Sequence, residues 1–427
     1  MSAETAERCE LVIRADRVFN GSTLRPEPAL CIRVRDDRIV SVEPWRGEAS
    51  RINGEGGMQL DARKLIVMPG VMPGLIDAHF HPVSSDFDVG RIDREHPSFR
   101  ALGARQPLEA ALRRGFTTVR DASGGNIDLV RAIEQGLIDG PRLLIAGRAI
   151  SQTGGHGDMR SVDAMPMCSC GYCGALSTVV DGADQVRLAG REQLLRGANH
   201  VKLFLSSGVL SPTDPISMNQ FTDDEARAAM EEATTRRTYV MAHAHTAEAV
   251  RRCVRNGVRS TEHGTLMDRA SVDQVAVADA FVVPTLAIVD ALRETPLGLP
   301  PAALEKLATI GDQNAASLDL CVQAGVKLGF GTDLFGPVRD RQCAEFAARA
   351  RVQRAIDVLR SATPVNAELL NLGEQIGTIG SGACADLIAV DGNPLEDLRC
   401  MSDPERHLKL IIRGGRVVLN RLGGARS

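Results

Sequence analysis

Aromatic side chains are scarce in this chain. Its 427 residues include one Trp, two Tyr and 11 Phe, 3% in all, which argues against a stacking surface for bases or sugars. Neither charge sign is in excess: 50 Lys and Arg stand against 54 Asp and Glu, a formal net charge of -4. Nucleic acid and anionic membranes are therefore not expected partners. No run of 18 apolar residues occurs, so no membrane-spanning helix is expected. The opening Met1-Ser2-Ala3-Glu4-Thr5-Ala6-Glu7-Arg8-Cys9-Glu10 carries acids and no apolar stretch, which reads as no signal peptide and a cytoplasmic protein. In that setting the ten cysteines read as reduced thiols and not as a disulfide framework.

Apolar residues are present in the amount a globular core needs, 44% of the chain. The length exceeds what one compact core usually reaches, unless the fold is a barrel. Residues 10 to 68 read as short β segments: Leu11 to Ile13, Ala29 to Val34, Arg38 to Val42 and Lys64 to Met68, with Asp36-Asp37 as a turn. Pro69-Gly70 and Pro73-Gly74 then punctuate the chain. From there apolar runs alternate with helical patterns, as in β/α units around a parallel sheet. Eight strands are predicted: Leu75 to Ala78, Thr117 to Arg120, Leu143 to Ala146, Val201 to Leu205, Tyr239 to Ala242, Arg259 to Thr261, Phe281 to Pro284 and Lys327 to Phe330. Helices are predicted over Asp184 to Arg196, Thr222 to Arg236, Leu304 to Ala324 and 345 to 372. The chain returns to β at Asp386 to Gly392 and Leu408 to Leu419, and 421 to 427 reads as a frayed end. The predicted class is α/β: a (β/α)8 TIM barrel over 69–375, with a small β-sandwich domain built from both termini, 1–68 and 376–427.

Chemistry in such a barrel collects at the C-terminal ends of the strands. His79 and His81 end the first strand, and i, i+2 spacing aims both at one space. Two imidazoles sharing a target suit a metal, although an isolated pair of this kind is also found at ordinary strand ends. Asp121 ends the second strand and Lys202 lies early in the fourth. His243 and His245 end the fifth, Glu262 and His263 the sixth, and Asp333 the eighth. Five of the nine histidines thus fall at strand ends. Asp77 and Asp121 read as bracing residues inside the barrel.

Six motifs in this order resemble the amidohydrolase superfamily of metal-dependent hydrolases. They are Pro73-Gly74-Leu75-Ile76-Asp77-Ala78-His79-Phe80-His81, Gly154-Gly155-His156-Gly157-Asp158, Val201-Lys202-Leu203, Ala242-His243-Ala244, Glu262-His263-Gly264 and Gly331-Thr332-Asp333. Ala385-Asp386-Leu387 matches the superfamily's return to its β module. Within the superfamily the chain is similar to the group of imidazolonepropionase-like proteins, Xaa-Pro and Xaa-Arg/Lys carboxypeptidases, and ochratoxin-hydrolysing amidases.

The resemblance implies roles. His79, His81 and Asp333 would hold one divalent ion and His243 and His263 a second, with zinc favoured. Lys202, carboxylated by CO2 to a carbamate, would bridge both. A metal-bridged hydroxide would attack an amide carbonyl, Asp333 would relay the proton to the leaving nitrogen, and His156 would contact the substrate carbonyl or oxyanion. Several relatives carry Tyr at the place of His245, where it holds a product carboxylate; His245 is expected at the site rim. Ser206, in Ser206-Ser207-Gly208-Val209, is expected to line the pocket. The implied substrate is a small N-acyl amino acid or dipeptide-like amide with a free carboxylate, ochratoxin A falling within that range, and the implied assembly is a homo-oligomer. A cyclic amide or carbamate hydrolase is one alternative, which Lys202 opposes; a non-catalytic scaffold is another, which the full ligand set opposes. Cys168, Cys170 and Cys173 fall in a long loop, 151–183, as free thiols or a redox or structural metal group.

Overall fold

A computed structural model describes residues 10–16, 18–25, 29–45, 58–61, 70–160, 172–295, 298–311 and 313–422. The chain divides into two compact units, one of Met1–Ile76, Ala111–Thr117 and Arg354–Ser427, the other of Asp77–Ala110 and Thr118–Gln353.

The larger unit is a TIM-barrel-like α/β fold. Seven parallel strands follow one another in the order Ser177–Val179, Ala149–Ser151, Val201–Phe204, Val240–Thr246, Ser260–Leu266, Phe281–Val283 and Lys327–Leu328. Leu75–Phe80, Phe116–Asp121 and Arg142–Leu144 form a second sheet. Backbone bonds join the two: Ala78 N–H to Phe330 O (2.8 Å), Asp333 N–H to His79 O (2.9 Å) and Asn199 N–H to Ile145 O (2.8 Å). Strands such as Phe281–Val283 are buried at every position, which is why they read as continuous apolar runs and not as alternation. Glycine serves the close packing at Gly331, where a Cβ would come within 2.7 Å of His79 Cβ.

Helix starts set the strand ends. Thr246 accepts from Ala249 N–H, so the Ala247–Arg255 helix begins two residues after His245. Thr222 and Glu225 form a capping box on Asp223–Thr235. The predicted helix over Leu304 to Ala324 is instead two, Pro301–Gly311 and Asn314–Gln323, with Gly311 at the break. The helical stretch predicted over 345–372 is likewise broken into Ala344–Ala350, Ala355–Arg360, a π turn at Ser361–Val365 and Asn366–Leu369. The predicted 151–183 loop carries two short strands, Tyr172–Cys173 and Ser177–Val179; Cys168 and Cys170 lie outside the described residues. Among the described residues no helix is long and apolar enough to cross a membrane.

The smaller unit holds a four-stranded sheet, Arg38–Pro44, Leu30–Arg35, Glu10–Ala15 and Met58–Asp61. A six-stranded sheet in it runs from Arg416–Asn420 through Leu408–Arg413, Leu387–Val390, Val71–Pro73 and Val18–Phe19 to Leu24–Arg25. Ile13 and Ile32 from the first share one buried cluster with Val71, Leu387 and Ile412 from the second. The turn expected at Asp36-Asp37 closes the Arg35–Arg38 pair, with Asp36 at φ 53°. The strand expected at Lys64 to Met68 and the end residues 423–427 lie outside the described residues.

Candidate active site

Strand ends bring His79, His81, Lys202, His243, His263 and Asp333 together to line one cavity. Asp333 Oδ1 stands 3.3 Å from His79 Nε2 and 2.9 Å from His81 Nε2, and its Oδ2 is 3.9 Å from His263 Nδ1. Ligand atoms of His79, His81 and Asp333 gather within 4.8 Å of one another, and so do those of His243, His245 and His263. His263 (φ 72°) and Asp333 (φ 55°) both take left-handed backbone. Residues other than Gly, Asn and Asp rarely hold that conformation unless the surroundings impose it, and such strain clusters at functional sites.

His79, His243 and His263 are fixed from behind. His79 Nδ1 lies 2.8 Å from Glu262 Oε2. Glu262 Oε1 in turn accepts from Arg120 Nη2 (2.8 Å) and Ser260 Oγ (2.7 Å), and Arg120 Nε donates to Ala78 O (2.6 Å). Arg120 and Glu262 are both 0% exposed, so each is the other's counter-charge in the barrel interior. His243 Nε2 donates to Ser207 O (3.0 Å), which leaves Nδ1 with a lone pair for the floor. His263 Nδ1 bonds Thr285 Oγ1 (2.7 Å), leaving Nε2 free. One tied nitrogen and one open nitrogen per ring is how ligating histidines are held.

Burial pushes His243 and His263 well below the usual imidazole range and lowers His81, so these rings are neutral bases. Burial raises the Asp333 carboxyl, but His79 and His81 outweigh it and keep it well below its ordinary value. At His79 burial lowers the imidazole and the Asp333 charge more than restores it. Lys202 is 2% exposed, and burial brings its ammonium down to about 8. Imidazoles each with an open nitrogen, one anionic carboxylate and a lysine that gives up its proton easily are a donor set fit for divalent cations.

His156 and His245 also line the cavity. His156 stacks on His243 with ring centroids 4.3 Å apart, and its Nδ1 is 3.0 Å from Ser211 Oγ. His245 Nδ1 bonds Thr265 Oγ1 at 2.7 Å, and its ring lies 4.9 Å from that of His263. Burial lowers them to about 4 and about 3. The expectation for Ser206 is not met. It is 0% exposed and off the cavity wall; its hydroxyl donates to Ser207 O and accepts the His245 N–H, so it steadies His245 instead. Asp77 accepts from Thr332 N–H, Thr332 Oγ1, Gln342 Nε2 and His79 N–H. Asp121 accepts from Ser123, Gly125 and Ala146 N–H, and burial lifts it to about 7. Both brace loops, as expected.

The sequence reading left Glu262 without a role and missed Arg120, Thr265 and Thr285. Glu262 precedes a candidate ligand and Arg120 precedes Asp121, and on a strand a neighbour faces the other way. Only the register that sets Glu262 behind His79 reveals them. The cavity's apolar wall, Val209, Leu210, Ile288, Val289, Leu292 and Ile310, was also unforeseen, since its residues come from loop and helix positions.

The Amidohydrolase family model matches residues 71–418. The chain is 30% identical to ochratoxinase of Aspergillus niger over 356 residues, covering 79% of this chain and 73% of that protein. A prolidase solved in complex with N-methylphosphonate-L-proline superposes with a TM-score of 0.89 at 40% identity, over 96% of this chain and 100% of the other. A Xaa-Pro dipeptidase with bound methionine gives 0.84 at 28% identity, over 96% and 100%. This chain belongs to the amidohydrolase family and is a hydrolase acting on amide bonds.

Proposed function

We propose that the protein is a binuclear metal-dependent amidohydrolase that cleaves the amide of an N-acyl amino acid or dipeptide-like substrate with a free carboxylate. The observation that carries this reading is the buried Lys202, with its lowered ammonium, set among four histidines and Asp333. His79, His81 and Asp333 would hold one ion, and His243 and His263 the other. Lys202, once its neutral Nζ had added CO2 and released a proton, would offer carbamate oxygens as donors beside them. Such ions, most readily zinc, supply an acidified water and a Lewis acid for the scissile carbonyl.

The chain's own groups do the rest. Asp333, anionic at neutral pH, takes the proton of the attacking water and delivers it to the leaving nitrogen. His156 faces the carbonyl oxygen and stabilises the charge that grows on it. His245, on the same strand face as His243 and packed against His263 rather than out at the rim, meets the carboxylate side of the substrate. The apolar wall receives the acyl portion and keeps water from the reacting centre. The names of the similar proteins, an ochratoxinase and a prolidase, fit an amide next to a carboxylate. We also read the two terminal sheets as the two layers of a β-sandwich domain built from both chain termini, the first part reaching past the expected boundary at 68 to take in the Val71–Pro73 strand.

A panel of N-acyl amino acids and dipeptides, varied at the C-terminal residue and assayed with metal-loaded protein, tests this. Turnover of at least one subset is expected. Turnover of lactams or carbamates with none of the panel cleaved would overturn it.

A further inference from the structure

Lys202 and Lys306 are the buried lysines among the described residues. The first has its place on the cavity floor. Lys306 sits on the Pro301–Gly311 helix, with its side chain 11% exposed. A buried ammonium is costly unless its donors are all used. Here Nζ donates to Gly208 O (3.1 Å) and Ser211 O (2.8 Å), and it stands 3.4 Å from Asp214 Oδ1, whose side chain is fully buried.

Everything this ammonium touches leads to His156. Asp214 Oδ2 accepts from Gln220 Nε2 (3.2 Å), and Gln220 Oε1 accepts the His156 backbone N–H (3.1 Å). Gly208 lies flat under the His156 ring, so close that a Cβ there would sit 2.2 Å from Cε1. Ser211 Oγ is 3.0 Å from His156 Nδ1 and 3.1 Å from Gly208 O. That hydroxyl has one proton and two acceptors within reach. Lys306 already donates to Gly208 O, and a carbonyl bound by a cation is the poorer second acceptor. The hydroxyl proton is thereby steered to His156 Nδ1, which puts the ring proton on Nε2, the edge left for the cavity.

We propose that Lys306 is a positioning residue: through the turn formed by Gly208 to Ser211 it fixes the place and tautomer of His156, so that an Nε2–H donor faces the scissile carbonyl. The inference rests on the reading of His156 as that donor. A donor aimed at the developing oxyanion acts in the transition state, so its loss lowers kcat and leaves KM nearly unchanged.

The test uses Lys306→Met, Ser211→Ala and His156→Ala, alone and with each of the first two combined with the third, in metal-loaded full-length protein. The probes are the fastest dipeptide of the panel above and the methylphosphonamidate of its C-terminal amino acid. His156→Ala is expected to lower kcat by about 10²- to 10³-fold. Lys306→Met and Ser211→Ala each lower kcat by about tenfold and weaken the phosphonamidate in parallel, with KM and metal content within about twofold. On the His156→Ala background neither lowers kcat further, because the ring they position is gone. Wild-type kcat in Ser211→Ala, or a loss of equal size with and without His156, overturns the linkage. Should Lys306→Met fail to fold, Ser211→Ala, which removes one hydroxyl only, decides the matter. An unimpaired His156→Ala overturns instead the reading of His156 on which the linkage rests.

Discussion

Glu262 touches no open nitrogen of the candidate metal cage, yet His79 depends on it. Burial raises the Glu262 carboxyl, but Arg120 and His79 outweigh that and bring it down to about 2. Its carboxylate accepts from Arg120 Nη2 at 2.8 Å and balances that buried charge. Glu262→Gln keeps the shape, removes the anion and strands a buried guanidinium. A loss of about 3–5 kcal/mol in unfolding free energy follows from breaking such a pair, read by denaturant titration. Metal affinity falls by about 10- to 100-fold through the loosened His79, read by competition with a chromophoric chelator. A variant with wild-type stability and affinity would show that the pair is ornamental.

Lys202 carries the pH prediction. Only the free amine adds to CO2. The folded ammonium is lowered from 10.5 to about 8, so the amine fraction of the metal-free protein rises as pH rises through that value. Reconstitution of apoprotein with metal and bicarbonate is expected to be faster at pH 9 than at pH 7. It is expected to be slow at either pH when CO2 is stripped. Equal rates under all four conditions would remove the carbamate from the account.

At the scale of elements, the strands explain why so much of the site was legible. His79, His81 and His243 each follow an apolar run, and a strand's period of two fixes which neighbours share a face. The turn at Asp36-Asp37 was legible for the same local reason. What was not legible depends on packing between elements. The break at Gly311 and the strands inside 151–183 answer to tertiary contacts. The burial of Lys306 is equally long-range, since its acceptors lie more than 90 residues away. Ser206 was misjudged because its hydroxyl is claimed by His245 N–H and Ser207 O, a choice that spacing alone does not display.

The Leu286–Glu294 helix supplies Ile288, Val289 and Leu292 to the cavity wall, one face at i, i+1 and i+4. Leu292→Asp places a charge where the acyl portion is proposed to sit. KM for substrates with a large apolar acyl group is expected to rise by about tenfold or more, the worth of burying one such side chain. Metal content should not change, because the helix gives no ligand. Steady-state kinetics on an acetyl and a hexanoyl substrate separate the cases: an equal effect on both would place the acyl group elsewhere.

At the scale of the whole molecule, the barrel-like fold was legible from the alternation of apolar runs and helical patterns, and the family from six motifs in order. Neither fixes the number of metal ions. That number is the centre of the account, because the lysine bridge, the acidified water and the role of Asp333 all assume two. The most direct measurement is the metal-to-protein ratio of protein purified without chelator, by inductively coupled plasma mass spectrometry. The account predicts about two divalent ions per chain in the wild type and a loss of both on Lys202→Ala, since neither site is complete without the bridge. Fewer than one ion per chain in the wild type, or two retained by Lys202→Ala, would contradict it.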